Sequence, residues 1–349
     1  MKVWMKRAAF LTTVAVTVGV LAGCSAEGTD TKPTSLDPST SSWADIEAAA
    51  KSEGKLTVYL ASQDGLNTAL VEAFNEAYPD IQVNMLRLES GASTARIASE
   101  IEAGTPTADV VQLADNVMFN EHPEWFRPIA GLPNLENFPE ERYTDYYVHQ
   151  QAGLFVYTYN TDLVKNPPKT WKELAASEAI KDGLMIDPRA ANSFMAMDQF
   201  IREAAGEDVL ADLAANVRGF TDSSATAAQQ VVAGEISLAF PNQREHTTAA
   251  REKGAPVDTV VPSPSIAVTN MYAMPKQATS PNAAAVFMNF VLSKAGAEAT
   301  CLKGDYMPFA YSDIPNCPQA PTDTDVIVDY YPKLTDQVRS EIIDILGLS

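Results

Sequence analysis

Short apolar runs alternate with amphipathic helical segments along most of the chain. Residues 56–60 form an apolar run, apolar side chains recur at helical spacing over residues 66–77, and residues 81–88 alternate between apolar and polar. This order predicts a strand, a helix with one buried face and a second strand. The two strands of such a unit are expected to be parallel, with a right-handed connection. A helix over Trp43 to Glu53, capped by Ser42, is predicted to precede it.

Three predicted strands of the first half end in small or polar loops. They cover residues 56–60, 81–88 and 108–113. Because the carboxyl ends of parallel strands meet at one edge of a sheet, we expect these loops to lie together and to line a ligand site. The candidate ligand-binding residues in them are Ser62, Gln63, Asp64, Ser90, Gly91, Ala92, Ser93 and Asp115.

The second half of the chain repeats this plan. Predicted strands over residues 184–186, 219–221 and 236–240 each end in a polar loop that leads into a helix. These loops contribute the second group of candidate ligand-binding residues: Arg189, Asn192, Ser193, Ser223, Ser224, Asn242 and Arg244.

The two sets of elements predict an α/β protein with two lobes and a ligand cleft between them. The amino-terminal lobe is expected to comprise residues 43–152 and 266–320, and the carboxy-terminal lobe residues 153–265 and 321–349. The chain would then cross between the lobes near residues 152–154 and 262–266, where we expect the hinge. About 300 residues are enough for two separate cores.

The start of the chain is typical of a bacterial lipoprotein signal. Residues 1–23 contain basic residues and then an apolar stretch too short to favour a membrane span, and they end in Leu-Ala-Gly before Cys24. This pattern predicts cleavage before Cys24 and lipidation of its thiol; an ordinary cleaved signal and an anchor helix are the alternatives. Residues 24–42, rich in Ser, Thr, Asp and Pro, are expected to form a flexible tether. The folded part is therefore expected at the outer face of the cell membrane.

Charge and cysteine content narrow the choice of partners. The formal net charge is −20, and removal of the basic signal makes it more negative. Such a surface argues against binding to nucleic acid and against electrostatic docking on a membrane.

Apart from Cys24 the chain has Cys301 and Cys317, which are predicted to form a disulfide in an oxidising location. The alternative, a metal site, lacks a nearby histidine or a further cysteine.

The segments that carry a family resemblance are Ala50–Tyr59, Ala73–Pro79, Ala108–Val111, Thr170–Leu174, Val232–Ile236 and Phe290–Lys294. In this order and spacing they resemble those of the extracellular solute-binding proteins of bacterial ABC importers, in the group that includes ferric-iron, thiamine, polyamine and phosphonate binders. The resemblance spans about residues 43–310 and implies a type II periplasmic-binding-protein fold, in which two crossing strands join the lobes. It also implies that a small solute is trapped when the lobes close and is handed to a permease.

The resemblance also bears on the kind of solute. The iron binders of this group use a tyrosine pair after the strand that here is residues 236–240, and a His or Tyr in the first loop. Those positions fall on Arg244-Glu245 and near Gln63-Asp64, and an arginine repels a trivalent cation. We therefore expect a phosphate ester, phosphonate or carboxylate, and keep ferric iron as the alternative.

Anion binding is expected at two helix starts, Ser90–Ser93 and Asn192-Ser193, together with the guanidinium groups of Arg189 and Arg244. Plain helix caps and local ion pairs are the alternatives for these residues.

Neither a Gly-x-Ser-x-Gly elbow nor a His-Glu-x-x-His pair occurs in the sequence, so a secreted α/β hydrolase is disfavoured and we expect no enzyme activity. No cofactor is expected, and the protein is expected to be a monomer. A sensor subunit without an importer is a further alternative.

Overall fold

A computed structural model describes residues 34–349, except for the side chain of Lys303. The predicted signal segment and the predicted lipidation of Cys24 lie outside the described residues. Within residues 34–349, no helix combines the length and the apolar character needed to cross a membrane.

The helices and strands follow one another in the alternating order expected from the sequence. The helices are α1 (Trp43–Glu53), α2 (Asp64–Ala77), α3 (Ser90–Glu102), α4 (Val117–Glu121), α5 (Trp171–Ala175), α6 (Asn192–Ala204), α7 (Glu207–Asn216), α8 (Ser224–Ala233), α9 (Glu245–Glu252), α10 (Pro281–Val291), α11 (Lys294–Cys301) and α12 (Asp336–Ile345). The strands are β1 (Lys55–Leu60), β2 (Gln82–Arg87), β3 (Val110–Leu113), β4 (Tyr147–Asn160), β5 (Leu184–Ile186), β6 (Gly219–Thr221), β7 (Leu238–Gln243), β8 (Val257–Val260), β9 (Ser265–Ala273), β10 (Met307–Pro308) and β11 (Thr324–Val326).

The strands form one curved sheet in the order β2-β1-β3-β9-β4-β7-β5-β6. In the amino-terminal lobe, β1 lies parallel to β2 and β3, whereas β9 runs antiparallel to β3 and β4. In the carboxy-terminal lobe, β5 lies parallel to β6 and β7, and β7 and β8 run antiparallel to β4. The two-lobe α/β prediction is therefore confirmed.

Strand β4 belongs to both lobes. All of its residues are buried; residues 147–154 pair with β9 and residues 155–160 pair with β7 and β8. The chain returns from β8 to β9 through residues 261–264, so this segment connects the lobes as β4 does. The polar triplet His149-Gln150-Gln151 lies within this strand, although its residue types do not indicate one, and His149 and Gln151 pair with residues of β9.

The core runs through both lobes along this sheet. Helix α10 is buried at every position from Pro281 to Val291 and packs against α1, which agrees with a sequence that is apolar apart from Asn282 and Asn289. In the carboxy-terminal lobe the indole of Trp171 is buried and donates a 2.9 Å hydrogen bond to the carbonyl of Pro264, in the crossing segment. The crossing is thus fixed to the core of that lobe.

Residues 34–42, the end of the expected tether, lie against the amino-terminal lobe. The backbone N–H of Leu36 donates to the side chain of Asn282 at 3.0 Å, and Asn282 in turn donates to the carbonyl of Thr34 at 2.9 Å. The guanidinium of Arg127 donates to the carbonyl of Leu36 at 3.1 Å. The ordered lobe therefore begins before residue 43, where the sequence placed its boundary.

Candidate functional site

The loop after β1 is fixed by a buried amide of the neighbouring strand. The side-chain oxygen of Gln112, on β3, accepts hydrogen bonds from the backbone N–H groups of Ala61 and Ser62 at 2.8 and 2.9 Å. The hydroxyl of Ser62 donates to the side-chain oxygen of Asn270, on β9, at 2.9 Å. Predicted site residue Ser62 therefore stands at the end of the sheet, beside the crossing strand β9.

The next residue of this loop bridges the two lobes. The side-chain amide of Gln63 donates a 2.5 Å hydrogen bond to the carboxylate of Glu245. Glu245 is the first residue of α9, directly after β7 and Arg244. The first loop of one lobe and the last strand-end loop of the other therefore meet.

Glu245 lies in a cluster of polar groups that covers the crossing strand. Asp305 and Tyr306, in the turn between α11 and β10, face it, and Tyr306 shares a hydrogen bond with its carboxylate. Burial raises the pKa of Glu245 to about 7, and the negative charge of Asp305 adds to this rise, whereas the hydrogen bonds from Gln63 and Tyr306 oppose it. Near neutral pH this carboxyl group thus changes its charge.

Arg244 faces the same turn from the carboxy-terminal lobe. One guanidinium nitrogen donates to the carbonyl of Gly304 at 3.2 Å, while the buried Nε–H has no acceptor among the described residues. Burial lowers the pKa of Arg244, and the nearby charge of Arg251 lowers it further. A buried N–H donor without an acceptor is costly, so this group can take an acceptor from outside the chain.

The floor under this cluster is formed by the crossing strands themselves. Gln151 of β4 lies opposite Asn270 of β9, and the ring of Tyr306 packs over Gly153, two residues further along β4. Gln151 is fully buried, yet neither atom of its side-chain amide has a partner in the described part of the chain. The sequence analysis missed Gln151, Asn270 and Tyr306. The only signal in the sequence was the pair of amide residues Gln150-Gln151.

The other predicted residues of the amino-terminal lobe have local roles. Asp64 forms an ion pair with Arg87 at 3.3 Å. The hydroxyl of Ser90 accepts from the N–H of Ala114 at 3.0 Å, which joins the ends of two strand-end loops. Of the remaining residues, Ser93 is buried, and Gly91 and Ala92 are exposed in the first turn of α3. Asp115 is half-buried after β3.

Two predicted residues of the carboxy-terminal lobe face α12. Arg189 is exposed and forms a bidentate ion pair with Asp187, and this pair keeps the pKa of Asp187 below its usual range. The side-chain oxygen of Asn192 accepts from Arg339 of α12 at 3.0 Å. Both residues line a groove of about 640 Å³ between the start of α6 and α12, and none of the residues lining it belongs to the cluster around Glu245.

The remaining predicted residues stabilise their own loops. The hydroxyl of Ser223 caps α8 by accepting from the N–H of Thr226 at 3.2 Å. Asn242, fully buried, donates to the carbonyl of Ser224 at 3.1 Å, and its side-chain oxygen lies 2.7 Å from Nδ1 of His246. Ser193 is half-buried in the first turn of α6.

Two further buried features are a disulfide and a carboxyl group. Cys301 and Cys317 form a disulfide, with 5.9 Å between their Cα atoms, and so close the loop that carries Asp305 and Tyr306. Asp198, in the middle of α6, is fully buried with no partner for either carboxylate oxygen in residues 34–349. Burial, and then the charge of Asp187, raises the pKa of Asp198. Over the same residues no group of three or more His, Cys, Asp and Glu side chains is arranged to hold a metal ion.

The sequence profile of the bacterial extracellular solute-binding proteins matches residues 69–323. The chain belongs to this family. Its members bind and transport solutes and are not enzymes. The thiamine-binding periplasmic protein of Brucella abortus biovar 1 is 25% identical over 169 residues, which are 47% of this chain and 50% of that protein. The chain therefore spans about half the length of the curated relatives it matches.

Solved structures of this fold superpose on most of the solute-binding protein. Iron-bound HitA from Pseudomonas aeruginosa matches with a TM-score of 0.59 and 20% identity, over 84% of this chain and 97% of that one. AfuA from Actinobacillus pleuropneumoniae, with exogenous fructose-6-phosphate bound, matches with a TM-score of 0.58 and 20% identity, over 85% of this chain and 99% of that one. At these identities the likeness shows the fold, which is that of the type II periplasmic-binding proteins.

Proposed function

We propose that this protein is the solute-binding component of an ABC importer, which captures a small solute between its lobes and delivers it to the transmembrane permease subunits. The observation that carries the proposal is the contact between Gln63 and Glu245, because it joins the strand-end loops of the two lobes across the boundary. Loops of this kind, one on each side of shared crossing strands, can close over a solute by hinge bending.

The solute that fits this cleft best is a small anionic compound, such as a phosphate ester, a phosphonate or a carboxylate. Support comes from Arg244, whose buried Nε–H lacks an acceptor within the described part of the chain and whose side chain faces the turn at Gly304. A phosphate or carboxylate oxygen would accept from this N–H in a charge-assisted hydrogen bond. Of the similar proteins, one is named for thiamine, one holds iron and one holds a sugar phosphate.

The proposed site residues differ in how much support the contacts lend them. Arg244, with Gln63 and Ser62, stays in the proposed site. Arg189 already binds Asp187, and Asn192 already binds Arg339 of α12, so a role in solute binding would require both contacts to break. Solute binding by those two residues is therefore not part of this proposal.

The location of the protein is proposed from the sequence. The signal segment and Cys24 favour a lipoprotein anchored at the outer face of the cell membrane, acting as a monomer beside its permease. The acidic surface argues against nucleic acid as a partner.

A thermal-shift titration of the purified protein tests the function and the solute class together. Fructose-6-phosphate, inorganic phosphate, thiamine and ferric citrate are compared, and a solute at a hundred times its Kd is expected to add about 2.7 kcal/mol of stability. A response to the phosphates that Arg244→Ala abolishes, and that the exposed control Arg218→Ala retains, supports the proposal. A response to ferric citrate alone would support the iron alternative, and a response lost equally in both variants would remove Arg244 from the site.

A further inference from the structure

The cleft floor contains one amide that the protein leaves without a partner. Gln151 is fully buried in β4, and both its side-chain oxygen and its side-chain nitrogen lack a hydrogen-bond partner in residues 34–349. Its neighbour Gln112 is equally buried, but the oxygen of Gln112 accepts two backbone N–H groups and its nitrogen donates to Asn270 at 2.7 Å. The sheet therefore satisfies one buried glutamine fully and the other not at all.

The position of Gln151 places its amide under the contact between the lobes. It lies opposite Asn270, and directly opposed residues of an antiparallel pair point to the same face of a sheet. Asn270 binds Ser62 on that face, and Gly153, two residues along β4, is covered by the ring of Tyr306 there. Since Tyr306 and the residue after Ser62 both contact Glu245, Gln151 faces the cluster that closes the cleft.

We propose that Gln151 forms a subsite that binds a neutral polar group of the solute, one that donates one hydrogen bond and accepts another, such as a primary amide, a lactam or a hydroxyl group. This inference rests on the proposed function. A solute would then place its anionic group at Arg244 and its neutral polar group at Gln151.

The subsite also explains how a solute favours closure. A buried amide without partners disfavours the closed arrangement, because folding has removed its hydrogen bonds to water. In an opened cleft, water reaches the amide. A solute that replaces this water satisfies the amide in the closed form, so it binds the closed form more tightly and shifts the population toward it.

The matched variants Gln151→Met and Gln112→Met separate this subsite from a structural amide. Both substitutions remove the same polar atoms from fully buried positions of one sheet. In the solute-free protein, Gln151→Met is expected to keep the Tm or to raise it by about 1–4 °C, because an unpaired amide is lost. Gln112→Met is expected to lower the Tm, because two backbone N–H groups lose their acceptor.

Binding by Gln151→Met is measured with fructose-6-phosphate and thiamine, after the titration proposed above has recorded the responses of the unmodified protein. For a probe that binds, at least a tenfold loss of affinity is expected in Gln151→Met, with Gln151→Asn intermediate. A Tm for Gln151→Met that falls as far as that of Gln112→Met overturns the subsite, as does unchanged affinity. If neither probe stabilises the unmodified protein, these solutes fail for the proposed function, and the two melting temperatures alone decide whether Gln151 is a free amide.

Discussion

Gln63 and Glu245, 182 residues apart in the sequence, are joined by a 2.5 Å hydrogen bond that links the two lobes. Gln63 stands at the carboxyl end of β1 and Glu245 at the start of α9, after β7. Tyr306 and Asp305 approach the same carboxylate from a disulfide-closed loop. The side chain of Glu245 therefore lies at the boundary between the lobes and also next to the turn that packs over strand β4.

Glu245 is expected to make the stability of the protein depend on pH. Its pKa is raised from the ordinary 4.5 to about 7, so the folded protein binds more protons than the unfolded chain between these values. The free energy of unfolding therefore falls as the pH rises through this window. At pH 8, the free energy of unfolding of Glu245→Gln, measured with urea, is expected to be higher than that of the parent by roughly 1–3 kcal/mol. Below pH 4.5 the two free energies should agree.

The matched control is Glu76→Gln on the exposed face of α2, which should leave the pH profile unchanged. An identical pH profile for parent and Glu245→Gln would show that the carboxyl group is not desolvated in solution.

Gln63→Glu is expected to separate the lobes in a pH-dependent manner. Two carboxylates at hydrogen-bond distance repel each other when both are charged, whereas a protonated Glu245 can still donate to its neighbour. Small-angle scattering should show a larger radius of gyration for Gln63→Glu above pH 7 and the parent value at pH 5. The isosteric change Gln63→Met, which removes the hydrogen bond without adding charge, should lack this pH dependence; equal expansion in both variants would point to packing instead of charge.

Loss of the disulfide should loosen the loop between Cys301 and Cys317 as well as lower the free energy of unfolding. Cys301 and Cys317 are 16 residues apart, and a closed loop of this length contributes about 3 kcal/mol. Cys301→Ser with Cys317→Ser is therefore expected to lower the free energy of unfolding by about that amount. Because the loop carries Asp305, whose charge adds to the rise in the pKa of Glu245, the pH dependence attributed to Glu245 should weaken too. Dithiothreitol should reproduce the effect on the parent and leave the double variant unchanged; a parent indifferent to the reductant would contradict the prediction.

Asp198→Asn is expected to stabilise the protein at neutral pH. The carboxyl group of Asp198 is fully buried without a partner in the described residues, and its raised pKa means that folding favours its protonated form. Stability is then greatest at low pH and declines as the pH rises above the ordinary pKa of 3.8. At pH 7 we expect a gain of roughly 1–3 kcal/mol for Asp198→Asn and none for the exposed control Asp212→Asn. A loss of stability for Asp198→Asn at every pH would mean that the carboxylate has a partner in solution.

The segment before α1 is expected to contribute to stability. A chain that begins at residue 43 lacks the partners of Asn282 and Arg127, and it also lacks the side chain of Leu36, which packs against the core. Relative to a chain that begins at residue 34, its free energy of unfolding should be lower by about 1–3 kcal/mol. Leu36→Ala in the longer chain measures the apolar part alone. Equal melting curves for the two chains would show that residues 34–42 do not hold to the lobe.

The sequence predicted the repeated strand–loop–helix plan because each element shows its own local pattern. Helix α8 shows this clearly: Ser223 caps it and Gly234 ends it in a left-handed conformation, as their residue types indicate. The disulfide was also predictable, since Cys24 has a separate explanation and only one pair remains.

Contacts between distant segments could not be predicted in this way. Nothing near Asn192 indicates that it accepts a hydrogen bond from Arg339, because α12 joins the lobe from the end of the chain. The amide of Gln151 looked like a loop residue for the same reason: its burial results from the neighbouring strands β9 and β10, which lie far away in the sequence. The solute contacts depend on such distant pairs more than the fold does.

The sharing of β4 between the lobes has a consequence for how the protein denatures. An intact strand pairs with β9 at one end and with β7 and β8 at the other, so melting of either lobe removes hydrogen bonds from the strand on which the other lobe is built. The described residues 34–349 also lie in one compact unit. Calorimetry should therefore record a single cooperative transition, with the van't Hoff and calorimetric enthalpies equal, although the molecule has two lobes.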